Sequence, residues 1–214
     1  MSENVPTLSG DTSLRLREFD APPADPLGLL REWLDGALRR EVREPFAAVL
    51  ATVDGAGRPS TRVLLAKDLD ERGLVFTSSR GSRKGQELAA RPSAAMTFYW
   101  RETLQQITLS GAIEELTAAE SDALFARRPP AAQAATAVSR QSRPLDDEAE
   151  LRERARALTE SGRPVPRPAE WTGYRLVPRT VEFWYGSPDR LHRRLVYERP
   201  APDTQNWTHR RLQP

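Results

Sequence analysis

Leu74-Val-Phe-Thr-Ser-Ser-Arg-Gly-Ser-Arg-Lys-Gly-Gln-Glu-Leu-Ala-Ala90 passes from an extended apolar run into a helical pattern, with Gly81-Ser-Arg-Lys84 at the changeover. Leu74–Ser78 reads as a strand, and Arg83–Ala90 as a short helix that stops before Arg91-Pro92. At the junction Gly81 lets a ligand approach the backbone. The helix start, with Ser82, offers unpaired N–H groups and a positive dipole end, and Arg83 and Lys84 add formal charge. That is the chemistry of a phosphate cradle; a Gly-Ser helix start with solvated charges is the competing reading of the tetrapeptide alone. Of 32 basic residues only Lys67 and Lys84 are lysines, and a compact point charge in a chain that otherwise uses arginine suggests a specific need.

Upstream, residues 1–24 are rich in Ser, Pro and acids without a period, and read as a flexible arm. Order is expected from Asp25-Pro26, an N-cap followed by proline at the first helical position, with Leu29, Leu30, Trp33, Leu34, Ala37 and Leu38 on one apolar face. Phe46–Val53 and Ser60–Lys67 are then strands that form an antiparallel meander with Leu74–Ser78, joined at Asp54-Gly-Ala-Gly57 and Asp70-Glu-Arg-Gly73. Downstream, Ala94–Trp100 and Gln105–Leu116 form a hairpin. Thr117-Ala-Ala-Glu120 is a capping box opening a helix to about Arg127, broken by Arg128-Pro-Pro130. A second helix spans Leu145 to about Thr159. Strands return at Trp171–Val177, Val181–Tyr185, Leu191–Tyr197 and Trp207–Leu212. The pattern is mainly β (α+β): an antiparallel, Greek-key-like barrel with peripheral helices, forming one domain over residues 25–214.

Composition narrows the chemistry. A chain of 214 residues without cysteine has no disulfide, thiol nucleophile or thiolate metal site, which fits a reducing cytoplasm; no metal is expected. No apolar run approaches a membrane span, and the first residues lack a signal-peptide core. A net charge of +2 with both signs interspersed points to a small anionic ligand rather than a nucleic-acid stripe. Walker, dinucleotide-glycine and nucleophile-elbow motifs are missing, and the only histidines are His192 and His209. In Arg190-Leu-His-Arg-Arg194, strand alternation sends Arg190, His192 and Arg194 to one face, either an anion-binding wall or a solvated edge. Arg62 within a Val-Leu-Leu context, Gln105-Gln106 and Gln141-Ser142 place polar groups where burial would demand partners. Phe98-Tyr-Trp100 and Phe183-Trp-Tyr185 read as barrel core or dimer interface.

In this order, Arg62-Val-Leu-Leu-Ala-Lys67, Gly81-Ser-Arg-Lys84, Val138-Ser-Arg-Gln-Ser142, Val181-Glu-Phe-Trp184, Arg190-Leu-His-Arg-Arg194 and Arg211-Leu-Gln-Pro214 resemble the pyridoxine/pyridoxamine 5′-phosphate oxidase family of FMN enzymes. The resemblance implies an FMN-binding split β-barrel and a homodimer with FMN at the subunit interface. It implies that Arg62, Val63, Leu64, Leu65, Lys67, Thr77, Ser78, Ser82, Arg83 and Lys84 bind FMN from one chain, and Gln106, Gln141, Ser142, Trp184 and Arg194 from the other. Where the vitamin B6 oxidases hold substrate phosphate with Tyr, Arg, Ser and Lys, this chain has Leu124, Arg128, Ala132 and Lys67. Lys67, Leu124, Arg128, Ala132, Arg190 and His192 are thus the expected substrate-binding set, with no dedicated base apparent. Tyr99–Thr103, Gln105-Gln106 and Ser139–Ser142 are similar to the flavin oxidases of phenazine biosynthesis. This implies oxidation of a reduced tricyclic phenazine carboxylic acid, with O2 as acceptor and H2O2 as product. A pyridoxamine phosphate oxidase is the nearest alternative, and a noncatalytic flavin- or nucleic-acid-binding barrel a more distant one.

Overall fold

The computed structural model describes residues 10–201, 204 and 206–214. The first helix, α1 (Pro26–Arg39), starts as its sequence dictates: the Asp25 carboxylate accepts from the Leu27 and Gly28 N–H groups, and Pro26 occupies the first turn. It buries Leu27, Leu29, Leu30, Trp33, Leu34 and Ala37, whereas Leu38, expected on the same face, is half exposed. Then follow β1 (Ala47–Val53), β2 (Pro59–Leu65), β3 (Asp68–Leu69), β4 (Leu74–Ser79), α2 (Arg83–Ala90), β5 (Ser93–Trp100) and β6 (Gln105–Glu115). The chain ends with α3 (Ala118–Ala126), α4 (Pro130–Val138), α5 (Glu148–Glu160), β7 (Trp171–Tyr185), β8 (Arg193–Glu198) and β9 (Thr208–Leu212).

The sheet runs β2-β1-β5-β6-β7-β4-β3, with β8 and β9 branching from β7, and every pair is antiparallel. This is the expected α+β antiparallel barrel, but not the expected meander. β4 does not pair with β2 but with β7 and the two-residue β3, because local alternation selects a strand's face, not its partner. Trp171–Val177 and Val181–Tyr185, expected as two strands, are one. Trp171–Leu176 pair with β4, Thr180–Tyr185 with β8, and Tyr174–Tyr185 with β6. A bulge between Ser110 and Gly111 leaves Arg179 as the extra residue of β7, and a Cβ at Gly111 would lie 2.1 Å from the Val177 carbonyl oxygen, so only glycine fits. Arg128-Pro-Pro130 ends α3 but also begins α4, a helix the sequence reading missed, with Pro130 in its first turn. The capping box holds: Thr117 accepts from the Glu120 N–H, and the Glu120 carboxylate accepts from the Thr117 N–H.

The inner face gathers Leu50, Met96, Phe98, Trp100, Ile107, Leu109, Phe183 and Tyr197, sealed by α1 through Trp33, whose ring lies 5.1 Å from Phe183 and 6.2 Å from Phe19. Alternation divides the aromatic triplets: Phe98, Trp100, Phe183 and Tyr185 turn inward, Tyr99 and Trp184 outward. Of the expected arm, residues 1–9 lie outside the described residues, but residues 10–24 are laid along the barrel. Phe19 is fully buried beneath a short 3-10 helix (Arg17–Phe19), the Trp33 indole N–H donates to Glu18, the Tyr197 hydroxyl donates to the Pro23 carbonyl, and Asp20 pairs with Arg193. One aromatic anchor overrides a polar, proline-rich composition. Phe19→Ala should therefore cost about 3–5 kcal/mol of unfolding free energy in urea titrations; an unchanged midpoint would mean that residues 10–24 do not contribute to the fold.

Candidate functional site

The chemistry gathers where β4 gives way to α2. A cleft of about 410 Å³ is lined by Ser60, Thr61, Arg62, Val63, Leu64, Thr77, Arg83, Lys84, Gln141 and Ser142. Lys84 is only 8% exposed and forms no ion pair among the described residues. Its ammonium is pulled below the usual lysine range by burial first and by Arg62 next, with Glu87 opposing. A buried, unpaired cation on a cleft wall is a site awaiting an anion.

Arg62 stands opposite Leu50 on the inner face of the β1–β2 ladder, so its guanidinium needs partners. It finds the Leu50 carbonyl, Thr52, Ser60 and, at 3.2 Å, Glu87. Glu87, 4% exposed, also accepts from Arg83 Nε at 2.8 Å, from Ser60 at 2.7 and 2.9 Å, and from Thr52. Burial alone would raise its carboxyl, but the hydrogen bonds from Thr52, Ser60, Arg83 and Arg62 outweigh burial and hold it down at about 2. The sequence reading missed Glu87. The available signal was its place one helical turn after Arg83, at the i,i+4 spacing of an ion pair.

Other expected residues divide. Ser78 and Ser82 are buried and do not line the cleft; Ser82 caps α2, accepting from the Gly85 N–H and donating to the Ser79 carbonyl. The Arg83 N–H is taken by Ser142 Oγ at 3.2 Å, so this part of the helix N-terminus is already capped. Gln141 and Ser142, expected from a partner chain, stand on the same chain's cleft, brought there by the turn between α4 and α5; Ser78 Oγ reaches Gln141 Oε1 at 3.5 Å. Gly81 faces the Glu170 carboxylate rather than the cleft. Leu65 points outward and exposed. Gln106, Trp184 and Arg194 do not line the cleft but are register partners in one row across β6, β7 and β8, with Arg194 paired to Glu182 at 2.6 Å.

Thr77 also borders a second cavity of about 170 Å³, lined by Lys67, Leu124, Arg127, Arg128, Pro129 and Trp171. The Arg128 guanidinium lies 5.2 Å from the Trp171 ring and 5.6 Å from that of Phe125. Neither Lys67 nor Arg128 has an ion-pair partner among the described residues. Burial and then Arg128 lower the Lys67 ammonium, and burial lowers the Arg128 guanidinium. Ala132 lines neither cavity; it sits in α4, its carbonyl accepting from Thr136. Arg190 and His192 precede β8 in a turn, Arg190 with φ of 69°, so strand alternation does not reach them. The His192 ring instead packs 4.9 Å from Trp184, its Nδ1 accepting from the Ser187 N–H. Among the described residues no cluster of His, Asp and Glu could hold a metal ion.

A basic cleft at a strand–helix junction of an antiparallel barrel, beside a cationic cavity with apolar walls, suits a phosphate-bearing ligand and a flat anionic one. The chain matches the pyridoxamine 5′-phosphate oxidase family over residues 34–162 and the pyridoxine 5′-phosphate oxidase C-terminal dimerisation region over residues 171–214. It belongs to the pyridoxamine 5′-phosphate oxidase family. It is 46% identical over 200 residues to a pyridoxine/pyridoxamine 5′-phosphate oxidase of Burkholderia multivorans, covering 93% of each chain. Against a dihydrophenazinedicarboxylate synthase of Pseudomonas chlororaphis it is 42% identical over 214 residues, covering all of this chain and 94% of the other. The crystal structure of PhzG from Burkholderia lata in complex with tetrahydrophenazine-1-carboxylic acid superposes with a TM-score of 0.91 at 43% identity, over 96% of this chain and 100% of that one.

The Glu87 network sets an acid limit. Because its folded carboxyl titrates at about 2 rather than near 4.5, the stability it contributes, up to ~3 kcal/mol, is fully present above about pH 5 and is lost as pH falls through 2. Urea midpoints between pH 5 and pH 2.5 should fall more steeply for the wild type than for Glu87→Gln. Parallel slopes would show that Glu87 is not held ionised.

Proposed function

We propose that the chain is an FMN-dependent oxidase of phenazine biosynthesis that aromatises a reduced tricyclic phenazine carboxylic acid. The observation that carries this reading is the second cavity, where Lys67 and Arg128 offer two uncompensated cations beside the apolar surfaces of Leu124, Pro129 and Trp171. A flat carboxylate matches both features: its anion meets the cations, and its rings meet Leu124 and the indole. A phosphate dianion meets the same cations but finds no hydroxyl donor at Leu124. Each missing hydrogen bond to a charged group costs ~1.5–3 kcal/mol.

In the larger cleft Lys84, Arg83 and Arg62 suit a phosphate monoester, and the lack of a dinucleotide fingerprint favours FMN over FAD. When bound, FMN supplies a two-electron acceptor. The chain's own residues then have binding and positioning roles. Lys67 and Arg128 orient the substrate carboxylate, while Leu124 and Trp171 keep water from its ring face. The substrate loses two electrons and two protons, and O2 gains them to leave as H2O2. Gaining an aromatic ring provides driving force, so positioning can suffice without a dedicated base. The row Gln106, Trp184 and Arg194 would complete the site from a second copy of the chain, and the dimerisation region of residues 171–214 supports that assembly.

Turnover assays in air decide the substrate. Reduced phenazine carboxylates should exceed pyridoxamine 5′-phosphate in kcat/KM by roughly one to two orders of magnitude, with one H2O2 per O2 consumed. A better rate with pyridoxamine 5′-phosphate would replace the phenazine assignment with vitamin B6 oxidation. Light scattering should give twice the 24.0 kDa chain mass; a monomer that binds FMN tightly would contradict a shared site.

A further inference from the structure

The three cations of the larger cleft are not equivalent. Arg62 is already spent on the protein: Nη1 donates to the Leu50 carbonyl and Thr52, and Nη2 to Ser60 and Glu87. Arg83 is tied only through Nε, leaving its two terminal amino groups without a hydrogen-bond partner among the described residues. Lys84 is buried and unpaired. One carboxylate therefore holds two guanidinium groups, one from β2 and one from α2. That carboxylate is itself held in place: Ser60, on β2, donates to both of its oxygens, and Thr52, on β1, to one.

We propose that Glu87 is the positioning residue of the phosphate cradle, fixing Arg62 as a built-in strut and turning Arg83 toward the anion that Lys84 meets. This rests on the reading of the cleft as a phosphate site. The charge balance agrees with it, since three cations against one carboxylate leave two positive charges for a phosphate monoester carrying about −1.5 to −2. Without Glu87, Arg62 and Arg83 would repel each other and Lys84, and the long Arg83 side chain would lose its anchor to the helix. With it, the side chain's rotamer freedom is spent during folding rather than on binding. Glu87 makes no contact with a bound phosphate in this arrangement and acts only through the arginines.

The test compares FMN with riboflavin, which lacks the phosphate, by fluorescence titration of flavin-free protein. Glu87→Ala should weaken FMN binding about tenfold or more while changing riboflavin binding less than about twofold. Glu87→Gln keeps one acceptor oxygen but loses the charge and the partner of one arginine, and should recover only part of the loss. Equal weakening of both flavins would reduce Glu87 to a structural residue, and unchanged FMN affinity in Glu87→Ala would overturn the proposal outright. If Glu87→Ala does not fold, Glu87→Asp, which shortens the reach by one methylene, carries the same comparison. Should the wild type bind no flavin, the flavin reading fails; the positioning proposal is then decided by inorganic phosphate, which must raise the Tm of the wild type and not of Glu87→Ala.

Discussion

The fold hangs on a single long strand. β7 cannot satisfy its backbone with one neighbour on each side along its length, because its 15 residues outrun both β4 and β8. It divides its free edge between them: Trp171–Leu176 take β4 and Thr180–Tyr185 take β8, with β6 continuous behind. The bulge opposite Gly111 is where the division falls, and the twist it adds turns the two halves apart. The strand thereby ties the cradle, carried by β4 and α2, to the C-terminal strands that belong to the dimerisation region. It also starts with Trp171, which lies under Arg128, and ends near Trp184, which lies beside His192.

Around this strand the polar chemistry turns on Glu87, the one buried acid among the described residues. Most arginines in the chain that form ion pairs do so at the surface, where such pairs contribute little. Glu87 differs because burial removes competition from water, and its acceptors are filled by two hydroxyls and two guanidinium groups. Lys84, Lys67 and Arg128 receive no such partner, which leaves the positive potential of the two cavities uncancelled. An interior that pairs every charge would be more stable and would bind nothing.

Much of this was legible in the sequence, and the gaps have physical causes. Helix α2 was bounded correctly because an amphipathic period, an N-cap serine and a following Arg-Pro all agree. Most of the strands were found within a residue or two because alternation is a local property. Pairing is not local, so the partner of β4 was misassigned, and the two strands expected in place of β7 are one because Pro178 is accommodated by Gly111 on β6. Phe19 escaped notice because one aromatic in a polar stretch has no period, though its burial anchors the segment before α1 to the barrel. At the site, the need of Arg62 for a partner was readable, but the partner's identity was not: Glu87 looks like any solvent-facing acid of a short helix until the fold lays α2 across β1 and β2.

The use of arginine nearly everywhere else gives the two lysines a second meaning. Guanidinium groups do not react with acylating or carbamylating agents under mild conditions, whereas a neutral amine does, and a lowered ammonium pKa increases its supply. Lys84 and Lys67 are the chain's only side-chain amines, and each stands on one of the two cavities. Covalent modification of a side-chain amine in this protein is therefore confined to the places where anions would bind. Its extent at each lysine reads out occupancy of one cavity independently of the other.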